Sequence, residues 1–160
     1  MKNVIKTDID VLMPVVLESV NSGNDARIKI SGFSMYPLVT NWRDSVLLTK
    51  ADVIKKGDVP LIKRDDGSYV LHRVVRIDGK ILGLRGDYEQ KIEYPIPSDN
   101  VVAVAKGFYR NEKFISCDSF GYKLYKAFWM NTVWIRPAIL KVLAIRTLKK
   151  TKNPKNNVES

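Results

Sequence analysis

The amino-acid sequence predicts a mainly β protein, with a small, bent or barrel-like sheet between an N-terminal helix and a basic, aromatic helical tail. Apolar residues recur at helical spacing near the start, short apolar runs alternate with turn residues in the middle, and aromatic and basic residues dominate the last quarter. The 160 residues, 45% of them hydrophobic and 28% charged, have the composition of one folded unit. We therefore expect an N-terminal helix over 1–25, a β-rich core over 26–117, a helical tail over 118–150 and a disordered end over 151–160.

The N-terminal helix is predicted from Asp8 to Ser22. Asp8 is suited to an N-cap and Gly23 to a C-terminal stop, whereas Pro14 either kinks the helix or marks its first turn. The apolar positions that follow the helical period are Ile9, Leu12, Met13, Val16, Leu17 and Val20.

The core is predicted as short strands joined by tight turns. Pro60 cannot donate a backbone hydrogen bond, so its strand is expected at an edge or with a bulge. Short strands at this spacing are typical of a small barrel or a strongly bent sheet. The expected strands are Arg27–Ile30, Ser45–Thr49, Val59–Ile62, Tyr69–Val75, Ile81–Leu84 and Val101–Ala105.

Positive charge is concentrated in the tail. Residues 121–160 contribute +8 of the formal net charge of +10, which predicts an anionic partner for this segment. Two interpretations stay open: the tail packs on the β-rich core, or residues 122–150 form an interfacial anchor on an anionic membrane surface. A nucleic-acid partner is disfavoured because the segment is too apolar. In the membrane interpretation the headgroup layer would receive Tyr122, Tyr125, Phe128, Trp129 and Trp134.

Location and cofactors follow from what the sequence does not contain. Neither a secretory signal peptide nor an apolar run of the ~18–20 residues that a membrane span needs is visible. We therefore expect a cytoplasmic protein; in the membrane interpretation of the tail it would lie peripherally on the inner face of the plasma membrane. Cys117 and His72 are the only cysteine and histidine, so an internal disulfide is excluded and zinc is disfavoured. No metal or cofactor is predicted, and the oligomeric state is left open.

Chemistry is predicted at Ser34, in the loop Ser31-Gly32-Phe33-Ser34-Met35-Tyr36-Pro37. Glycine and serine are ordinary turn residues, so the loop alone does not identify a nucleophile. Pro37 and Met35 favour rigid placement, since proline fixes the chain and methionine can anchor the loop in the core. A serine nucleophile needs such placement and a base that accepts its proton.

His72 is the candidate base. Strand alternation would put Arg73 on the opposite face and Val70 and Val74 beside the imidazole. Partial burial among valines favours the neutral form, although a lone histidine on a β face is more often structural.

Further motifs follow the serine loop in a fixed order. They are Asp44-Ser45-Val46-Leu47, Lys56-Gly57-Asp58-Val59, His72-Arg73-Val74-Val75 and Arg85-Gly86-Asp87. Together they resemble the superfamily that joins type I signal peptidases to the self-cleaving SOS repressors. Its endoplasmic-reticulum and archaeal signal peptidases carry His-Arg where most bacterial members carry Lys-Arg. The resemblance covers residues 26–107, about half of the chain.

The resemblance implies a signal-peptidase-type fold and catalytic roles for three residues. Ser34 would be the nucleophile, with its backbone N–H in the oxyanion hole, and His72 would be the general base. Asp87 would orient the histidine, as the third group of a triad does. Tyr88 stands where the family usually has Asn, so Glu89, Glu93 and Asp99 stay as alternatives to Asp87.

The substrate implied by the resemblance is an extended peptide, bound as an added strand beside the serine loop with small side chains next to the cleaved bond. The residues expected to contact it are Gly32, Phe33, Met35 and Val70. The sequence thus predicts a serine endopeptidase that makes a limited cut in the leader or signal-like segment of a peptide or protein precursor, through an acyl-enzyme. A catalytically silent peptide-binding module and a self-cleaving regulator are the alternatives.

Overall fold

Strands dominate the computed structural model, which describes residues 4–143, with side chains from residue 12 onward. The helices are α1 (Val4–Asn21), α2 (Phe120–Asn131) and α3, which begins at residue 136 and is described to residue 143. The strands are β1 (Ala26–Lys29), β2 (Ser45–Thr49), β3 (Pro60–Lys63), β4 (Tyr69–Leu71), β5 (Arg73–Asp78), β6 (Ile81–Arg85), β7 (Glu93–Pro97), β8 (Val101–Arg110) and β9 (Lys113–Ser116). The predicted order of an N-terminal helix, a strand-rich core and a helical C-terminal segment is confirmed.

Two antiparallel sheets form the core. The larger one is a curled half-barrel with the strand order β1-β2-β8-β3-β4, in which β9 also pairs with β8. The smaller one has the order β5-β6-β7. Register shifts interrupt the β2–β8 ladder at Leu47/Leu48 and the β3–β8 ladder at Leu61/Ile62. Such shifts bend and twist a strand pair, which accounts for the curl.

Pro60 opens β3, which lies between β8 and β4 and is therefore not an edge strand. The first residue of a strand is one of the few places where a proline is tolerated in a sheet. The neighbouring register shift at Leu61/Ile62 matches the bulged form of the prediction.

The chain does not pass through His72 as one strand. β4 belongs to the larger sheet and β5 to the smaller one, and His72 is the single residue between them. This differs from the continuous strand predicted over 69–75. Apolar alternation persists across a junction between two sheets, so the pattern could not reveal the break.

Helix α1 begins at Val4, so the prediction of an N-cap at Asp8 is wrong. Pro14 lies inside the helix, and Gly23 stops it as predicted, with a φ of +86° and a hydrogen bond from its N–H to the Val20 carbonyl. Met13 and Val20 lie buried in the main apolar cluster, which fixes α1 on the larger sheet. The other buried members of that cluster are Ile30, Met35, Leu38, Val39, Val46, Leu48, Val59, Leu61, Ala103, Ala105, Phe108 and Tyr122.

Helix α2 has two apolar faces. Ser119 caps it by accepting a 3.3 Å hydrogen bond from the Tyr122 N–H. Tyr122 and Trp129 face the core with 4% and 2% of their surfaces exposed, so these two side chains do not face solvent as a headgroup contact requires. On the opposite face an outer stripe is exposed, formed by Phe120 (77%), Leu124 (55%) and Phe128 (52%).

Helix α3 begins at residue 136, within the predicted helical tail, and Pro137 suits its first turn because a proline there lacks only a hydrogen bond that the helix does not make. Residues 144–150 of the predicted tail and the predicted disordered end over 151–160 lie outside the described residues. Within residues 4–143, no helix combines the length and apolarity that crossing a bilayer requires.

Candidate active site

The loop that carries Ser34 follows β1 and is held by a hydrogen bond to Asn41 and by the buried side chain of Met35. Gly32 has a φ of +100°, a conformation that favours glycine, and its N–H donates to Asn41 Oδ1 at 2.8 Å. Met35 is 2% exposed and anchors the loop in the main apolar cluster, as the sequence indicated. Ser34 is half-buried above this anchor. The local chain therefore presents Ser34 on a rigid loop.

The residues predicted to contact a peptide fall into two groups. Gly32 and Phe33 are exposed, the latter at 61%, and Val70 is half-buried in the outer strand β4. The Met35 side chain lies in the core, so it supports the loop and does not face a groove.

A second loop, residues 86–89, meets the serine loop backbone to backbone. The Tyr88 N–H donates to the Ser34 carbonyl at 2.8 Å. Gly86 lies so close that a Cβ atom at its position would stand 2.5 Å from the same carbonyl oxygen. Only glycine permits this approach, which gives the Gly-Asp element of the sequence a steric reason.

The imidazole of His72 is buried at the junction of the two sheets, with 3% of the residue exposed. Neither ring nitrogen has a hydrogen-bond partner in the described part of the chain. Burial lowers the pKa of His72 below its usual value, against the opposing charges of Glu89 and Glu93. The neutral imidazole is therefore the favoured form near pH 7, which is the form a general base needs.

Two carboxylates flank the imidazole, one beside each nitrogen. Glu89 Oε1 lies 3.6 Å from Nε2, and Glu93 Oε2 lies 3.7 Å from Nδ1. Glu93 is held by Arg64 through hydrogen bonds of 2.9 and 2.7 Å, and this contact lowers the pKa of the Glu93 carboxyl. Glu89 also approaches the Gly86 N–H at 3.4 Å, so the second loop contacts both the Ser34 backbone and His72.

Asp87, predicted to orient His72, forms its hydrogen bonds with other residues instead. Its carboxylate accepts hydrogen bonds from Arg73 at 2.8 and 2.7 Å and from the Tyr125 hydroxyl at 3.1 Å. Its backbone carbonyl accepts from Trp129 Nε1 at 3.2 Å. Since neither nitrogen of His72 has a hydrogen-bond partner within the described residues, Asp87 acts on the imidazole only through its charge, which favours protonation.

Sequence reasoning missed how α2 takes part in the site. Tyr125 and Trp129 bind Asp87, and the Tyr122 hydroxyl accepts a 3.1 Å hydrogen bond from Arg73. The three aromatic residues follow each other at spacings of three and four, which puts them on one face of a helix. That spacing was the available signal, but it does not say whether the face meets lipid or protein.

The arrangement has the parts of a serine nucleophile and a histidine base, but their side chains are not hydrogen-bonded to each other, because both His72 nitrogens lack a partner within residues 12–143. Catalytic hydrogen bonds are often formed only when substrate is bound. Cys117 is an unsuitable nucleophile, since burial raises its thiol pKa to about 11.

The described residues also contain no cluster of three His, Cys, Asp or Glu side chains that could hold a metal ion. Comparison of the chain with models of known protein families finds no match, and a search of curated proteins finds none.

Proposed function

We propose that this protein is a serine endopeptidase with a signal-peptidase-type fold, in which Ser34 attacks the peptide carbonyl and His72 accepts its proton. The observation that carries the proposal is topological. The outermost strands of the curled sheet, β1 and β4, lead directly into the Ser34 loop and into His72. Both candidate groups therefore stand at the ends of strands whose outer edges can pair with an added strand.

The chemistry follows from the two residues. A neutral His72 takes the Ser34 proton as the hydroxyl oxygen bonds to the substrate carbonyl, and it returns the proton to the leaving amine. The resulting acyl-enzyme is then hydrolysed by water that His72 activates. The Ser34 backbone N–H stabilises the oxyanion, and no metal or cofactor takes part.

Glu93 is the acid best placed to orient the histidine. It lies beside Nδ1 and is itself fixed by Arg64, while Glu89 stands beside Nε2 and is 42% exposed. If Glu93 accepts a hydrogen bond from Nδ1–H, Nε2 carries the lone pair that a base needs. Nε2 would then face Ser34 once the Glu89 side chain moves away from it. In this proposal Asp87 shapes the second loop and does not orient the base.

The substrate is an extended segment of a peptide or protein precursor, of leader or signal-like character. It would pair with a sheet edge and pass Gly32, Phe33 and Val70 on its way across the serine loop. An anionic membrane surface is the proposed second partner, on the inner face of the plasma membrane. The outer stripe of α2 supports this, together with Lys123, Lys126 and Lys141 in a segment that has no acidic residue from 119 to 143.

The deciding experiment is mass spectrometry of the purified full chain with a peptide library, with and without anionic liposomes. Discrete cuts are expected with the unaltered protein and none with Ser34→Ala or His72→Ala. Ser31→Ala is the matched control, because it removes the exposed neighbouring hydroxyl and should leave the cuts in place. Cuts that persist in both Ser34→Ala and His72→Ala would contradict the proposal.

A peptide-binding module without catalysis is the second candidate, favoured by the absence of a hydrogen-bond partner for His72 among residues 12–143. It predicts that Ser34→Ala binds the same peptides with unchanged affinity and that no product forms in either protein. A self-cleaving regulator would instead show cuts within its own chain, at a rate independent of protein concentration.

A further inference from the structure

Three arginine side chains are buried around one carboxylate, away from the Ser34 hydroxyl and the His72 imidazole. Arg73 on β5 and Arg85 on β6 are direct partners in the antiparallel ladder, so their side chains share one face of the small sheet. They are 0% and 6% exposed. Two like charges opposite each other on a buried face are unfavourable unless anions compensate them.

Asp87 forms a hydrogen-bonded ion pair with only one of them, Arg73. Both of its carboxylate oxygens bind Arg73, and one of them also accepts the Tyr125 hydroxyl. The Nε of Arg85 is buried and has no hydrogen-bond partner within the described residues. Arg85 forms no ion pair with any side chain of that part of the chain either.

Arg136, at the start of α3, brings a third guanidinium to the same place. It is 3% exposed, lies 5.0 Å from the centroid of the Trp129 ring and donates from Nε and Nη2 to the Trp129 carbonyl. Trp129 in turn donates to the Asp87 backbone, so the ring connects Arg136 to the Asp87 cluster. Arg136 therefore meets a carbonyl but no carboxylate among residues 12–143.

The charge balance of the cluster is thus three guanidinium groups against one carboxylate. Burial lowers the pKa of Arg85, and burial together with the charge of Arg85 lowers the pKa of Arg136 to about 10, although the charge of Asp87 opposes both shifts. One carboxylate therefore compensates these two buried cations only in part.

We propose that Arg85 and Arg136 form a binding site for a phosphate group. A phosphate offers more oxygens and more charge than a carboxylate for two cations, and guanidinium groups match its oxygens well. Arg85 would be the main donor, because Arg136 already donates from Nε and Nη2 to the Trp129 carbonyl and would contribute mainly its charge. The ligand would contact the few exposed atoms of both side chains, near the start of α3.

The phosphate has two sources, free phosphate compounds and phospholipid headgroups. The surroundings favour a lipid. Trp134, two residues before Arg136 in the inter-helix turn, is 82% exposed. One face of α3 beside Arg136 is apolar and largely open, with a shallow space of about 430 Å³ against it. This face is formed by Ile135, Ala138, Ile139, Val142 and Leu143. A headgroup at the arginines and an acyl chain along this face would use both features.

The first test is thermal unfolding of the full-length protein in inorganic phosphate, against chloride at equal ionic strength. We expect the unfolding temperature to rise by several degrees and to saturate with phosphate, as binding to the folded state requires. Arg85→Gln and Arg136→Gln should each lose most of this rise. Arg76→Gln is the matched control, since Arg76 is exposed, pairs with Asp78 and should keep the full response.

The second test identifies the source, with flotation on vesicles of phosphatidylcholine alone or mixed with phosphatidylglycerol. A lipid site predicts at least tenfold weaker binding to the mixed vesicles by Arg85→Gln and unchanged binding by Arg76→Gln. A site for free phosphate predicts the thermal response with equal vesicle binding by all three proteins. Either result supports the site.

The proposal is overturned if neither phosphate nor anionic vesicles produce an effect that depends on Arg85. Arg136→Gln could unfold, because Arg136 also holds the Trp129 carbonyl; Arg85→Gln then decides, since its Nε makes no hydrogen bond to the described residues. The site does not depend on the peptidase proposal. Ser34→Ala should show the full phosphate response even if the protein cleaves nothing.

Discussion

Arg73 and Asp87 form a buried, two-bond ion pair, with distances of 2.8 and 2.7 Å and with 0% and 1% of the two side chains exposed. The pair joins β5, one residue after His72, to the second loop, one residue before the Tyr88 N–H that binds Ser34. Tyr122 and Tyr125 add hydrogen bonds from α2. The tail helix therefore holds the loop that lies between the two candidate catalytic residues.

Removing the charge of Asp87 should destabilise the protein strongly. Asp87→Asn leaves Arg73 buried without its anion, and breaking such a pair costs about 3–5 kcal/mol. Urea unfolding measures this change. Asp78→Asn, which removes an exposed ion pair with Arg76, should cost less than about 1 kcal/mol. Equal effects of the two substitutions would show that the buried pair has no special role.

Gly86→Ala tests the backbone approach between the two loops. The new methyl group would stand 2.5 Å from the Ser34 carbonyl oxygen, so one loop must move. A displacement of this size should lower kcat/KM by about 100-fold. Gly121→Ala is the control on α2, where no atom lies within 4 Å of the new methyl group. It should leave kcat/KM unchanged and should not destabilise the fold, since Gly121 lies in the first turn of α2. Full activity of Gly86→Ala would refute the packing argument.

The pH dependence of kcat/KM should reflect the lowered pKa of the buried His72. Because burial lowers the pKa of His72 below 6.5, the base stays neutral to lower pH than a free histidine would. The acid limb of kcat/KM is therefore expected below pH 6.5. A limb above that value would mean that the charges of Glu89 and Glu93 outweigh burial.

Stability should depend on pH through the same residue. With the folded-state pKa below the unfolded-state value, the unfolded chain binds its proton first as the pH falls. Stability is then lost from about pH 6.5 downward to the folded-state pKa, and His72→Gln should lack this component. Urea titrations at several pH values compare the two proteins.

The two acids beside His72 can be separated by substitution. Both Glu93→Gln and Glu89→Gln remove a charge that raises the pKa of His72, so both should move the acid limb to lower pH. Only Glu93→Gln should also lower kcat, by about tenfold or more, because Glu93 is the acid that we propose to orient Nδ1. A larger fall in kcat for Glu89→Gln would assign the orienting role to Glu89.

The outer stripe of α2 should contribute to membrane binding. Phe128→Ser and Leu124→Ser each remove an exposed apolar side chain and should weaken binding to phosphatidylglycerol vesicles by about tenfold. Ile77→Ser, which changes an exposed residue on the β5–β6 hairpin, is the control and should bind as the unaltered protein does. Flotation with unchanged binding of all three variants would exclude the stripe as the contact.

Local sequence determined the features that depend on neighbouring residues. The Gly32 turn and the stop of α1 at Gly23 each need only a few adjacent positions, so they could be predicted. The same holds for most strands, whose apolar runs are local. Ser34 and His72 could be proposed as a pair because each residue type is rare or specially placed in this sequence.

Tertiary structure decided everything that depends on residues far apart in the chain. His72 falls between two sheets, Asp87 binds Arg73 and not the imidazole, and the face of α2 with Tyr125 and Trp129 meets protein. The physical reason is that periodicity reports which residues share a face, while burial and ion pairing depend on what covers that face. A buried arginine needs a particular carboxylate, and only the folded chain brings the two together.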